Sequence, residues 1–224
     1  MSASRQDTHD LRRGHSVLPA WIKDAGRAVL RPIVNAALAL RISANTVTVI
    51  GLLITTAAAV VVTQGWLVAG AVILVVGSLL DAVDGALARA TGGGTPFGSF
   101  LDSTLDRAGE AILYLGVAGY FLNTAESPTT PVLLAMLALV GSFLVSYSRA
   151  RAEGIGLSAT VGLAPRTERL VLIIAGIGIA GLGFVPALIG ALVTITVLTA
   201  ATVIQRIWHV WRLSEAAPND TKEV

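Results

Sequence analysis

Cysteine is absent from the sequence. That excludes disulfides, thiolate metal sites and a cysteine nucleophile. Charge is scarce as well: Asp, Glu, Lys and Arg make up 13% of the 224 residues, against 54% apolar. A soluble domain of this size needs more polar surface than that to cover its core. The formal net charge is only +2 and no basic run alternates with aromatics, so nothing argues for a nucleic-acid partner. The three histidines, His9, His15 and His209, are scattered, and no histidine metal site is expected. The first seventeen residues, MSASRQDTHDLRRGHSV, are polar, and no short apolar stretch with a small-residue cleavage site follows, so no cleavable signal peptide is expected. What remains is an all-α integral membrane protein, with a mean hydropathy of +0.75.

A bilayer core needs about 20 mostly apolar residues per crossing helix. Six stretches qualify, at 45–64, 67–89, 98–122, 130–150, 168–186 and 187–210, with breaks at TQG, GGGTP, ESPTTP and GLGFVP. The segment 18–40 differs. It mixes apolar residues with Lys23, Arg27 and Arg31, spaced four apart on one helix face, and is expected to lie on the membrane as an amphipathic juxtamembrane helix, kinked or interrupted at Pro32. Polar tails occupy 1–17 and 213–224, leaving 45–212 as a six-helix membrane domain. With six spans, all sixteen Lys and Arg fall on one side or in helix ends facing it, while the opposite turns carry only Glu126. The positive-inside rule then places both termini and the basic face in the cytoplasm, in the cell (inner) membrane. Trp66, Trp208 and Trp211 sit near span ends, as interface anchors do.

Against this background, DAVDGALARATGGGTPFGSFLDSTLD (81–106) stands out. Asp81 and Asp84 are three apart and Asp102 and Asp106 four apart, so each pair shares a helix face. The glycine-rich turn between them lets the helices reverse and the pairs meet. Four converging carboxylates repel one another and lose hydration unless a cation sits among them. Their oxygens suit hard divalent cations, Mg²⁺ or Mn²⁺, and four of them suffice for two ions that clamp phosphate oxygens for in-line displacement. Gly85 and Ala88 leave room for a bulky ligand, and the planar fork of Arg89 suits a phosphate. Glu110, one turn beyond Asp106, is expected either to orient a ligand, the reading favoured, or to be protonated in a helix contact.

The pattern D-x2-D-G-x2-A-R-x8-G-x3-D-x3-D, met by Asp81, Asp84, Gly85, Ala88, Arg89, Gly98, Asp102 and Asp106, resembles the signature of the CDP-alcohol phosphotransferases. The resemblance covers about 18–212 and implies transfer of a phosphatidyl group from a CDP-linked lipid to an alcohol, with release of CMP. It implies that Asp81, Asp84 and Asp102 are metal ligands. Asp106 would sit at the second metal as general base. Gly85, Ala88, Arg89 and Gly98 would border the CDP moiety of CDP-diacylglycerol. Asn45 and Thr48, in SANTVT, match a donor-contacting stretch in which Ala44 replaces the family's usual proline. A homodimer is also implied.

The acceptor has to be read elsewhere. Arg149, Arg151, Arg166 and Arg169 cluster in 146–170, and Arg206 lies near the end of the last span. Arginines in surplus beside a metal-phosphate site point to a phosphorylated acceptor, although the positive-inside rule and membrane lipid headgroups also account for them. SYSRARAE and PRTERL are similar to segments of the bacterial phosphatidylinositol-phosphate synthases. That resemblance implies inositol 1-phosphate as acceptor, its phosphate held by Arg149, Arg166 and Arg206, with arginine at 149 where lysine is usual. The alternatives are a phosphatidylglycerol-phosphate synthase using glycerol 3-phosphate and, more remotely, an intramembrane prenyltransferase or a divalent-cation transporter. A transport site should be open to both membrane faces, whereas these aspartates lie at one end of two helices.

Overall fold

The computed structural model describes residues 31–216. Their regular structure is helical throughout: α1 (31–39), α2 (Ala44–Thr63), α3 (Leu67–Ala90), α4 (Pro96–Thr124), α5 (Thr129–Gly154), α6 (Arg166–Gly181) and α7 (Pro186–Ala216). Helix starts follow local chemistry. The Ser43 hydroxyl accepts a hydrogen bond from the Thr46 N–H, and Thr95 accepts one from Gly98, with Pro96 at the first helical position of α4. Between α3 and α4 the chain reverses through Gly92 and Gly93, at φ +97° and +101°, which side chains disfavour.

The helix order agrees with the six expected stretches, with differences at the ends. α6 stops at Gly181 rather than 186, because Gly183 turns left-handed at φ +101° and its N–H closes a capping turn on Ala180. α7 runs on to Ala216, since WRLSEA contains no breaker. Of the amphipathic segment expected over 18–40, residues 18–30 lie outside the described residues, as do Lys23 and Arg27. The part that is described, 31–39, is helical and includes Pro32.

Among the described residues, four helices, α2, α3, α5 and α7, are long and apolar enough to cross a membrane. α4 is longer than α2 but carries Asp102, Asp106, Arg107 and Glu110 in its first half, and α6 has 16 residues. Large apolar side chains such as Val72, Val76, Met136, Val140, Val197 and Ile204 cover the outside, as expected where the solvent is lipid.

The helices close into a ring in which each packs on two neighbours, in the order α2, α4, α5, α7, α6, α3 and back to α2. Small residues make this possible. A methyl added at Gly116 of α4 would lie 2.7 Å from the Ala59 carbonyl oxygen and 2.9 Å from its Cα, and Gly70 of α3 abuts Val62. The main core, including Val62, Leu74, Leu113, Val117, Ile173, Ile177 and Leu192, fills the ring, and Leu74, Leu113 and Ile173 reach the cavity of Asp81 and Asp106. A smaller cluster of Val34, Ala37, Val47, Val83 and Leu87 seats α1 on α2 and α3.

Candidate active site

α3 and α4 each pack on α2 rather than chiefly on each other, because α2 presents small residues to both. The first turns of α2 therefore line the spaces in which an aspartate of α3 meets an aspartate of α4. Asp81 and Asp106 line one cavity together with Gly51, Glu110 and Arg166. Asp84 and Asp102 line a second, wider groove, with about 1490 Å³ of empty volume including its open mouth. That groove also contains Asn45, Gly85, Ala88, Arg89 and Gly98, so every residue expected to border the donor lies in one place. Thr48 lines both spaces.

Three of the four carboxylates, Asp81, Asp84 and Asp106, are held by identifiable contacts. Thr48 Oγ1 donates 2.9 Å to Asp84 Oδ2, and Asp84 is only 7% exposed. Its hydroxyl is also 3.0 Å from the Ala44 carbonyl oxygen, one turn back. Gly51 lets Asp81 approach α2: a Cβ there would stand 3.1 Å from Asp81 Oδ1. Arg166, at the start of α6, reaches across with Nη2 2.9 Å from Asp81 Oδ2 and Nη1 2.9 Å from Asp106 Oδ1. Arg107 stands 3.7 Å from Asp106 Oδ2 and donates to the Ser103 carbonyl oxygen.

Among the described residues, no three acidic side chains are gathered round one point. The donor chemistry nonetheless fits a divalent cation. All four side chains are hard oxygen donors, Asp84 and Asp106 each feel the negative charge of Asp81 and Asp102, and a cationic guanidinium already spans Asp81 and Asp106.

The three arginines expected at the acceptor phosphate are not brought together. Arg166 stands on the aspartates. Arg149 pairs with Glu153 at 2.9 Å, one turn along α5. Arg206, 7% exposed, donates to the carbonyl oxygens of Val161 and Val145, fastening the α5–α6 loop to α7. Its neighbouring like charges are Arg149 and Arg169.

Glu110, expected to orient a ligand, is instead the partner of Arg169: Nε donates 2.8 Å to Oε1 and Nη2 2.9 Å to Oε2. Glu110 was visible in the sequence as a carboxylate inside an apolar helix, but nothing local names a partner 59 residues away. Gly51 and Thr202 carried no signal at all. The Thr202 hydroxyl accepts from the N–H groups of both Leu163 and Ala164 at 3.1 Å.

Comparison with known proteins places these residues in context. Residues 41–211 match the model of the CDP-alcohol phosphatidyltransferase family. The chain is 39% identical over 171 residues to archaetidylinositol phosphate synthase of Methanothermobacter thermautotrophicus, covering 75% of this chain and 83% of that one. It is 38% identical over 197 residues to phosphatidylinositol phosphate synthase of Cutibacterium acnes, covering 84% and 95%. The crystal structure of the Mycobacterium tuberculosis phosphatidylinositol phosphate synthase with CDP-DAG bound superposes with a TM-score of 0.78 at 31% identity, covering 88% of this chain and 98% of that one. The same enzyme in complex with manganese and citrate gives 0.77 at 32% identity, covering 87% and 93%. The aspartate motif shared by α3 and α4, the ring of helices and this similarity along the chain agree, and the protein belongs to the CDP-alcohol phosphatidyltransferase family.

Proposed function

We propose that this enzyme transfers the phosphatidyl group of CDP-diacylglycerol to inositol 1-phosphate, giving phosphatidylinositol phosphate and CMP. The observation that carries the reading is that two adjoining spaces, both lined by Thr48, each hold one aspartate from α3 and one from α4. A groove lined by Asn45, Gly85, Ala88, Arg89 and Gly98 suits the CDP end of a donor, and the neighbouring cavity offers Asp106 beside a phosphate-binding type of residue, Arg166. The acceptor is supported by the names of the relatives, which share an inositol phosphate and differ in the lipid. The donor is supported by the CDP-DAG bound in the mycobacterial relative.

In this reading Asp81, Asp84, Asp102 and Asp106 hold two divalent ions, Mg²⁺ or Mn²⁺, for which the manganese complex of the relative is a precedent. Such ions neutralise the diphosphate and make CMP a good leaving group. The chain's own residues do the rest. Thr48 fixes Asp84. Arg89 and the small residues at 85 and 88 admit the diphosphate against α3. Asp106 takes the proton of the acceptor hydroxyl as its oxygen attacks the diacylglycerol-bearing phosphorus. The bond from that phosphorus to the CMP oxygen breaks, and CMP departs with the electron pair. Arg166, which lines the cavity, meets the acceptor's own phosphate. Arg149 and Arg206, neighbours of each other, would join it by leaving Glu153 and the backbone carbonyls they hold. The six helices α2–α7 form one domain, 45–212, crossing the inner membrane with the site and termini on the cytoplasmic side, and the protein works as a homodimer. A second reading keeps the acceptor and replaces the donor by a CDP-linked archaetidyl lipid, supported by the 39% identity to the archaetidylinositol enzyme.

The test is release of labelled CMP by the purified protein in nanodiscs, with inositol 1-phosphate, glycerol 3-phosphate, inositol and serine as competing acceptors. Release dependent on Mg²⁺ or Mn²⁺ and on inositol 1-phosphate is expected. Product only with glycerol 3-phosphate overturns the acceptor assignment, and preference for an archaetidyl donor favours the second reading.

A further inference from the structure

In the helix ring α4 and α6 stand opposite each other, each separated from the other by two helices on either side. Two arginine–carboxylate pairs nevertheless join them through the middle. Asp106 meets Arg166, and one turn deeper Glu110 meets Arg169. The two pairs differ in character. Arg166 is 34% exposed and faces two carboxylates at a cavity mouth, whereas Arg169 is 1% exposed. Every nitrogen of the Arg169 fork has an acceptor: Nε and Nη2 on Glu110, and Nη1 on the Ala164 carbonyl oxygen at 2.7 Å. Ala164 is fastened in turn to α7 through Thr202. Residues 163–164 are thus fixed from both sides, two residues before the arginine that touches the base.

A buried ion pair adds little net stability over apolar packing of the same volume, because desolvation consumes most of the attraction. Such a pair in the centre of an apolar ring is therefore explained by the direction it imposes. We infer that Glu110 is a positioning residue for the phosphorylated acceptor: with Arg169 it forms a strut across the ring that sets the first turn of α6, and so aims Arg166 at the acceptor phosphate beside Asp106. This rests on the proposed phosphorylated acceptor. It assigns Glu110 no contact with substrate.

The test compares wild type, Glu110→Gln and Glu110→Asp in the full chain in nanodiscs. Acceptor KM, donor KM and kcat are measured, with the Kd for inositol 1-phosphate and the Tm. Loss of one charge-directed contact predicts that Glu110→Gln raises acceptor KM and Kd about tenfold, with kcat and donor KM within about threefold, and that Glu110→Asp recovers most of the loss. Unchanged acceptor KM and Kd in Glu110→Gln overturn the inference. So does a fall in Tm with all three kinetic constants worsening in parallel, the mark of a merely structural pair. If Glu110→Gln does not fold, Glu110→Asp decides: the inference requires an acceptor-specific rise of about threefold, and its absence overturns it. A wild type that binds inositol 1-phosphate but releases no CMP refutes the proposed reaction while the Kd series still judges the strut. A wild type that binds none refutes both.

Discussion

The Thr48 hydroxyl donates a 2.9 Å hydrogen bond to Asp84, tying the first turn of α2 to the motif-bearing end of α3. Thr48 lines both the donor groove and the cavity of Asp106, so this bond sits at the partition between the two spaces. Replacing Thr48 by Val leaves a carboxylate that is 7% exposed without its side-chain donor, a change of about 1–3 kcal/mol. We expect Thr48→Val to lower kcat/KM for the CDP-lipid about tenfold or more and to lower the Tm, and Thr48→Ser to behave as wild type. Equal donor kinetics in the two variants would remove this role.

The Arg166–Asp106 pair separates two functions that meet at one contact. Asp106→Asn removes the proton acceptor and should reduce CMP release by about 10²–10⁴-fold. Arg166→Ala removes a partner of the remote phosphate and should chiefly raise acceptor KM. Initial-rate measurements at varied acceptor concentration distinguish them. A collapse of kcat in Arg166→Ala at unchanged KM argues against its phosphate role.

Two glycine-to-alanine changes should fail in different ways. At Gly51 the added methyl meets a movable carboxylate, Asp81 Oδ1 at 3.1 Å. Activity should fall with little change in Tm. At Gly116 the methyl meets main chain of α2 at 2.7 and 2.9 Å, which cannot yield without separating the helices. The expected cost is about 1–3 kcal/mol, read as a lower Tm or as loss of folded protein on size exclusion.

Chelation should abolish CMP release without unfolding the protein. The helices pack through an apolar core without any metal, and Arg166 already spans Asp81 and Asp106. EDTA should leave the helical circular dichroism intact, and Mn²⁺ or Mg²⁺ should restore turnover. Release that persists after exhaustive chelation refutes the metal-dependent scheme.

How far the sequence could be read depended on the range of the interaction concerned. The breaks at Gly92 and Gly183 are local matters of backbone conformation and fall in GGGTP and GLGFVP, marked in the sequence, although the fifth expected stretch runs past Gly183 and the caps at Ser43 and Thr95 went unread. The clustering of Asn45, Gly85, Ala88, Arg89 and Gly98 was legible because a motif fixes their spacing along helices. The sharing of one space by Asp81 and Asp106 and of another by Asp84 and Asp102 was not, since it depends on how glycine faces of three helices meet. Partner choice among arginines was hidden for the same reason. Arg166, Arg169 and Arg206 are alike in composition and neighbourhood, yet one meets aspartates, one a glutamate and one backbone carbonyls.

The closeness of α4 to α2 at Gly116 has a consequence for the chemistry at the other end of the same helix. A helix whose backbone lies directly against its neighbour is keyed in place and cannot turn about its own axis. Asp102, Asp106 and Glu110 are carried on that helix. The compass bearing of the base is therefore chosen once, when the helices associate in the bilayer, and each catalytic cycle inherits an alignment made during assembly.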